Sequence, residues 1–313
     1  MAADRADASC WKGDKQMKHH RIEERDNVVQ LTFDSPDGKV NVFSFEALSE
    51  LKQTLTELSG RTDVEMLLFK SAKPNIFVAG ADISEINGIH SLEDGIQKAK
   101  AGQEIMNLVE DLPFPTVALI DGACVGGGLE FALACTYRIA TFNESVRIGL
   151  PETKLGIIPG FGGTVRLPKR VGLLKALDMI LKGSLLNSQR AYKAGLVQHL
   201  APASALVTEA ITMVKSNSRF PVRLSPLEKL CAKLAPLKKM LISKTCSAIR
   251  KAQGNGYPHL FHAAESVIGA WGLPRAQALK IEADHFGSAI QTGVYKSLIH
   301  LFNLSEKYKK KKW

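Results

Sequence analysis

Cysteine is scarce in this chain of 313 residues: Cys10, Cys124, Cys135, Cys231 and Cys246 are scattered, and no two stand as CxxC. An odd, sparse set reads as reduced thiols in ordinary core or surface positions, and it supplies no zinc framework. No run of about 18 apolar residues occurs, which excludes a membrane-crossing helix. The first twenty residues lack an apolar stretch and carry Asp4, Arg5, Asp7, Lys12, Asp14 and Lys15. That mixture is neither a secretory signal nor a transit peptide, so a cytoplasmic location is expected. Aromatic residues make up only 7% of the chain and are not interleaved with basic ones, so no stacking platform for nucleic acid is expected. Histidines are few, and His259 and His262 form an i, i+3 pair that reads as structural. No metal site is expected.

What remains is ordinary for a globular chain: 45% hydrophobic and 23% charged residues, enough for one large domain or two modest ones. The formal net charge is +10. Part of the excess is a terminal run, Lys307 and Lys309 to Lys312, which reads as a solvated tail. A diffuse positive field suits nucleic acid and anionic phosphate-bearing ligands alike, so charge alone does not separate those partners.

Residues 1–17 read as a disordered leader. A short β run covers 28–33, DSPDG at 34–38 is turn chemistry, and 44–58 has helical periodicity with Ser44 as N-cap and Phe45, Leu48, Leu51, Leu55 and Leu58 on one side. Strands follow at 64–70, 116–120 and 137–141, with helices at 91–111 and from about 128. The rhythm is strand, strand, helix, not the strict alternation of a doubly wound sheet. After residue 165 the pattern turns helical, and from 220 onward helices are broken by Pro226, Pro236, Pro258 and Pro274.

Three segments carry chemistry. In Phe77-Val78-Ala79-Gly80-Ala81-Asp82-Ile83, small residues after an apolar pair leave the main chain open to close approach by a ligand; a tight turn is the plain reading. In Asp121 to Glu130, Gly126, Gly127 and Gly128 sit between a strand and a helix. They leave N–H groups where the helix dipole favours developing negative charge. A phosphate cradle is the rival, but no lysine follows as in GxxxxGK[ST] and the spacing fails GxGxxG. Glu130, in the first helical turn, either complements the dipole or acts as a catalytic carboxylate. Glu152 lies in Ile148-Gly149-Leu150-Pro151-Glu152, framed by apolar residues and proline. Such surroundings push a carboxyl pKa up and suit a proton donor, though a surface loop is the plain alternative. Together these segments hold what chemistry α to a carbonyl needs: oxyanion donors and two carboxylates.

At FVAGADI, GACVGGGLE, LPETKLGIIPGFGGTVRLPKRVG and NSQRAYKAGLV, over roughly 20–215, the chain resembles the crotonase (enoyl-CoA hydratase/isomerase) superfamily. The stretch from about 255 to FNLSEKYKKKKW is similar to the linker region of bacterial multifunctional fatty acid β-oxidation α-subunits, which implies either a piece of such a chain or a free-standing hydratase half. The resemblance implies an α/β fold: a crotonase-like spiral of ββα units over 18–215, then a C-terminal helical and linker region over 216–313. It assigns Glu130 to the water that attacks C3, Glu152 to the proton delivered to C2, and the N–H groups of Ala79 and Gly127 to the oxyanion hole. Gly80, Ala81, Asp82, Ile83 and Gly126 fall to substrate binding. One departure is Leu129, where many hydratases carry Cys.

The activity so implied is hydration of trans-2-enoyl-CoA to 3-hydroxyacyl-CoA in fatty acid β-oxidation, with enoyl-CoA isomerisation as a possible second activity. It needs no cofactor, since CoA is part of the substrate. A homotrimer or hexamer, or a complex with a thiolase or dehydrogenase, is the expected assembly. Isomerisation alone, thioester hydrolysis, or a non-catalytic assembly or RNA-binding role are the alternatives. The C-terminal region either packs on the core or leaves apolar surface exposed.

Overall fold

A computed structural model describes residues 12–36, 38–218, 220–222 and 224–311. In chain order the elements are β1 (Lys12–Gln16), β2 (His20–Arg25), β3 (Val28–Phe33), α1 (Phe45–Ser59), β4 (Met66–Ser71), β5 (Asn75–Val78), α2 (Ile83–Asn87), α3 (Leu92–Glu110), β6 (Thr116–Ile120), β7 (Gly122–Val125), α4 (Gly127–Ala134), β8 (Tyr137–Thr141) and β9 (Arg147–Gly149). Then come α5 (Gly163–Arg166), α6 (Pro168–Val171), α7 (Leu173–Lys182), β10 (Leu185–Leu186), α8 (Ser188–Lys193), β11 (His199–Ala201), α9 (Leu206–Lys215), α10 (Pro226–Lys233), α11 (Ala235–Gln253), α12 (Pro258–Ala270), α13 (Arg275–Gln291) and α14 (Val294–Lys311). They fall into two compact units that interleave in sequence: residues 1–81, 104–148 and 186–221 form the first; 82–103, 149–185 and 222–313 form the second.

In the first unit the expected ββα repeat is present. A seven-stranded sheet has the order β1-β2-β3-β4-β6-β8-β11, and β3, β4, β6, β8 and β11 pair in parallel. The second strand of each pair, β5 or β7, belongs to another sheet, where the two run parallel. The central strands are covered on both faces: β3, the first four residues of β4, β6 and β8 are buried throughout, polar residues such as Gln30, Thr32 and Arg138 included. The Ser44 side chain caps α1 by accepting from the Ala47 amide, and Leu48, Leu51, Leu55 and Leu58 are buried. Phe45, placed on the same stripe by periodicity, is instead 65% exposed. It stands in the first turn, ahead of the part of the helix that meets the sheet.

Residues 12–16, inside the expected disordered leader, form β1 and pair antiparallel with β2; residues 1–11 of that leader lie outside the described residues. In the second unit the prolines begin helices. Pro226, Pro236 and Pro258 occupy first-turn positions and Pro274 is an N-cap, sites where a missing N–H costs nothing. Both readings of the C-terminal region hold in part. Tyr295 and Ile299 of α14 are buried, and the Tyr295 hydroxyl donates to the Ile89 carbonyl at 2.6 Å. Leu227, Leu230 and Leu234 of the α10 segment, and Leu301, Phe302 and Leu304 of α14, are exposed. Among the described residues no helix is long and apolar enough to cross a membrane.

Candidate functional site

In the first unit two glycine turns lie against each other. After β5 the chain passes through Gly80 at φ +107°, a region L side chains avoid. Asn41 holds this turn from below. Its side chain donates to the Phe33 and Phe77 carbonyls and to Ser71 Oγ, and accepts from the Ser35 amide. The Asn41 carbonyl in turn accepts from the Ala79 amide at 2.8 Å.

That bond corrects one expectation. The Ala79 N–H is engaged with Asn41 and is not directed at a ligand. The amide that turns the other way is that of Ala81. Phe43 donates to the Gly80 carbonyl at 2.9 Å, and Phe43 bridges Ala81 in parallel. In such a bridge the neighbours of Ala81 make the bonds, so the N–H of Ala81 itself points to the opposite side. Sequence alone does not separate Ala79 from Ala81, because both sit beside the same glycine.

The second turn follows β7. Gly126 adopts φ +55° and precedes α4, so the Gly127 amide stands at the helix N-terminus with no intrahelical acceptor. The two turns meet: a Cβ built on Gly80 would lie 3.4 Å from the Val125 carbonyl and 3.8 Å from the Gly127 nitrogen. Gly128 is needed for close approach, since a Cβ there would fall on the Val78 carbonyl. Glu130 is 2% exposed, and its amide bonds to the Gly126 carbonyl at 3.0 Å. Leu129 is fully buried, so the bulkier residue at that position fills core.

α4 is anchored at both ends. Phe131 packs edge-on against Phe33 and Phe69, with centroids 5.4 and 4.7 Å apart. Beyond the C-terminus, the fully buried Arg138 donates from Nη1 to the Ala132 and Cys135 carbonyls and from Nε to the Leu196 carbonyl, at 2.8–2.9 Å. A cation here satisfies carbonyls that the helix leaves open.

The second unit holds Glu152, first residue of the 3-10 turn Glu152–Leu155. Its carboxylate is buried, and among the described residues neither oxygen has a hydrogen-bond partner. Burial is the main cause that pushes its pKa up, to about 8; the charge of Glu282 adds to this, while its own amide, outside hydrogen-bonding geometry, pulls the other way. The raised pKa expected from the apolar frame is thus present. The turn is fixed on both sides. Thr153 Oγ1 donates to the Ile180 carbonyl at 2.8 Å, and Gly156, at φ +80°, lies against the Tyr295 backbone.

Beyond Glu152, the glycine-rich stretch is organised by Glu282 of α13. This fully buried carboxylate accepts from the Gly162 amide, from the amide and hydroxyl of Thr164, and from Gln103 Nε2. Four donors fill the acceptor sites of an ionised carboxylate; burial opposes them and raises its pKa. Glu282, Asn41 and Arg138 were missed by motif reasoning. For Glu282 a signal existed: it sits among Leu279, Ala283 and Phe286, a charge on the buried face of its helix.

Asp82 and Ile83, expected along the substrate, open α2. The Asp82 carboxylate accepts from the amide and hydroxyl of Ser84 at 2.8 and 2.7 Å, so that side chain is engaged as a cap. Lys73 pairs with Asp34 at 3.0 Å.

The profile of the enoyl-CoA hydratase/isomerase family matches residues 23–224. The fatty acid oxidation complex subunit alpha of Vibrio campbellii is 34% identical over 93% of this chain and 41% of its own length. That of Shewanella loihica is 34% identical over 95% of this chain and 42% of its own. The chain therefore spans about 40% of the length of these curated relatives. Among solved structures, an enoyl-CoA hydratase from Bacillus anthracis matches with a TM-score of 0.59 at 26% identity, covering 93% of this chain and 96% of that one. DspI of Pseudomonas aeruginosa, at 24% identity and a TM-score of 0.59, covers 78% and 92% and shares the fold. The extent of the profile match and the identity to these relatives show that the chain belongs to the enoyl-CoA hydratase/isomerase family.

Proposed function

We propose that this chain hydrates 2-enoyl-CoA thioesters, with Glu130 activating the water that attacks C3 and Glu152 delivering the proton to C2. The observation that carries the reading is the Glu152 carboxyl, buried without a hydrogen-bond partner among the described residues, where burial pushes its pKa up to about 8. A protonated acid in that state is ready to donate, and a group matched to the working pH contributes roughly 10²–10⁴-fold. Attack at C3 builds enolate charge on the thioester oxygen. The amides of Ala81 and Gly127 are assigned to that oxygen, at roughly 3–4 kcal/mol for each donor. As C2 takes the Glu152 proton, Glu130 takes one from water, so the two carboxyls end with exchanged protonation states and the product carries the elements of water.

The relatives named fatty acid oxidation complex subunit alpha support acyl-CoA thioesters of β-oxidation as substrates and partner subunits as the setting. The same acid could shift a 3-enoyl to a 2-enoyl double bond; the presence of Glu130 as well as Glu152 in the sequence favours hydration as the main activity. The test follows loss of the enoyl thioester absorbance with crotonyl-CoA and a medium-chain 2-enoyl-CoA, in wild type, Glu130→Gln and Glu152→Gln. Hydration by wild type and a fall of several orders of magnitude in both variants is expected. A folded wild type that binds acyl-CoA and hydrates neither thioester overturns the assignment.

A further inference from the structure

A second cluster of titratable groups lies between α12 and α13, and the chemistry above does not use it. His262 and Glu265 are i and i+3 on α12, which sets them on one face, and His285 meets them from α13. The two imidazoles approach through the same atom: His262 Nδ1 is 3.2 Å from His285 Nδ1, with ring centroids 5.5 Å apart. Glu265 Oε2 is 3.7 Å from His285 Nδ1. All three donor atoms lie within 4.8 Å of one another, and among the described residues no second group of this kind occurs.

Two ligands of one tetrahedral zinc ion, each at about 2.0–2.1 Å, stand roughly 3.3 Å apart. The observed 3.2 and 3.7 Å lie on either side of that spacing. A hydrogen bond between the rings accounts for the first distance, and a long ion pair between Glu265 and His285 for the second. One ion accounts for both. A neutral imidazole offers a lone pair at its unprotonated ring nitrogen. The side chains of Glu265 and His285 are 39% and 26% exposed, which leaves solvent access for a fourth ligand. Two nitrogens and one carboxylate oxygen suit zinc; magnesium and calcium call for oxygen-rich sets of six or more.

We propose that His262, Glu265 and His285 bind one zinc ion, completed by water, that clips α12 to α13. α13 also carries Glu282, so the clip fastens the helix that holds the Gly162–Thr164 turn.

The test is calorimetric titration of the metal-stripped full chain with zinc chloride, in wild type, His262→Asn, His285→Gln and Glu265→Gln. One ion per chain is expected, with affinity at least about 100-fold lower in each His variant, a loss no smaller than that from removing an outer-sphere partner. Zinc should raise the Tm of wild type and leave that of the His262→Asn/His285→Gln double variant unchanged. Cobalt(II) added to wild type should give the strong visible absorption of a four- or five-coordinate site, a readout independent of any variant's folding. Absence of zinc binding, binding that survives in the folded double variant, or the weak spectrum of octahedral cobalt would each overturn the site.

Discussion

Glu282 accepts hydrogen bonds from both the backbone amide and the hydroxyl of Thr164, at 2.8 and 2.7 Å, inside a fully buried environment. A helix of the C-terminal region thereby holds the turn that follows Glu152. Glu282→Gln puts an amide NH2 against donors and should destabilise the chain by roughly 2–3 kcal/mol. It also removes a charge that helps raise the pKa of Glu152, so the alkaline limb of kcat/KM should move to lower pH. Thr164→Val, which keeps the Glu282 charge, should cost stability and leave the limb in place. Denaturant melts and a pH–rate profile of the three proteins separate these effects.

Glu152 itself links stability to pH. Its folded pKa, about 8, exceeds the ordinary 4.5, so the folded chain binds the extra proton between those values. Its contribution is full below pH 4.5 and is lost as pH rises toward 8, by up to roughly 1.4 kcal/mol per unit. Relative to wild type, Glu152→Gln should therefore gain stability between pH 5 and pH 9 while losing hydration activity. Equal pH dependence of the two proteins in urea titrations would contradict the buried, protonated carboxyl.

On the proposed mechanism, only protonated Glu152 delivers its proton, so wild-type kcat/KM should fall with a midpoint near pH 8. Stopped-flow hydration of crotonyl-CoA from pH 6 to pH 9.5 measures that limb. A rate still rising through pH 9 would assign the proton to another group.

Arg138 closes the end of α4 without entering the chemistry. Arg138→Met leaves the Ala132, Cys135 and Leu196 carbonyls buried without their donor, and a loss on the order of 3 kcal/mol is expected. The folded fraction should retain its pH profile, since the change lies at the end of the helix away from Glu130.

Gly128→Ala places a methyl group on the Val78 carbonyl. Either α4 or the turn after β5 must shift, at roughly 1–3 kcal/mol, and the shift separates the Gly80 and Gly127 turns. kcat should fall with little change in thioester affinity, measured by single-turnover kinetics against equilibrium binding.

The strand, strand, helix order, the Ser44 cap and the apolar frame around Glu152 are legible in the sequence, because each depends on neighbours within a few residues. Turn glycines, caps and short apolar runs act locally, so they can be read one segment at a time. Tertiary structure decided the rest. Ala79 and Ala81 flank the same glycine, and only the bond to Asn41, 38 residues back, shows which amide turns away. Glu282 stands 118 residues from Thr164, and His285 meets His262 across 23. Such pairings carry no local signature, because a hydrogen bond or a shared ligand depends on distance in space, and that distance exists only once the helices have packed.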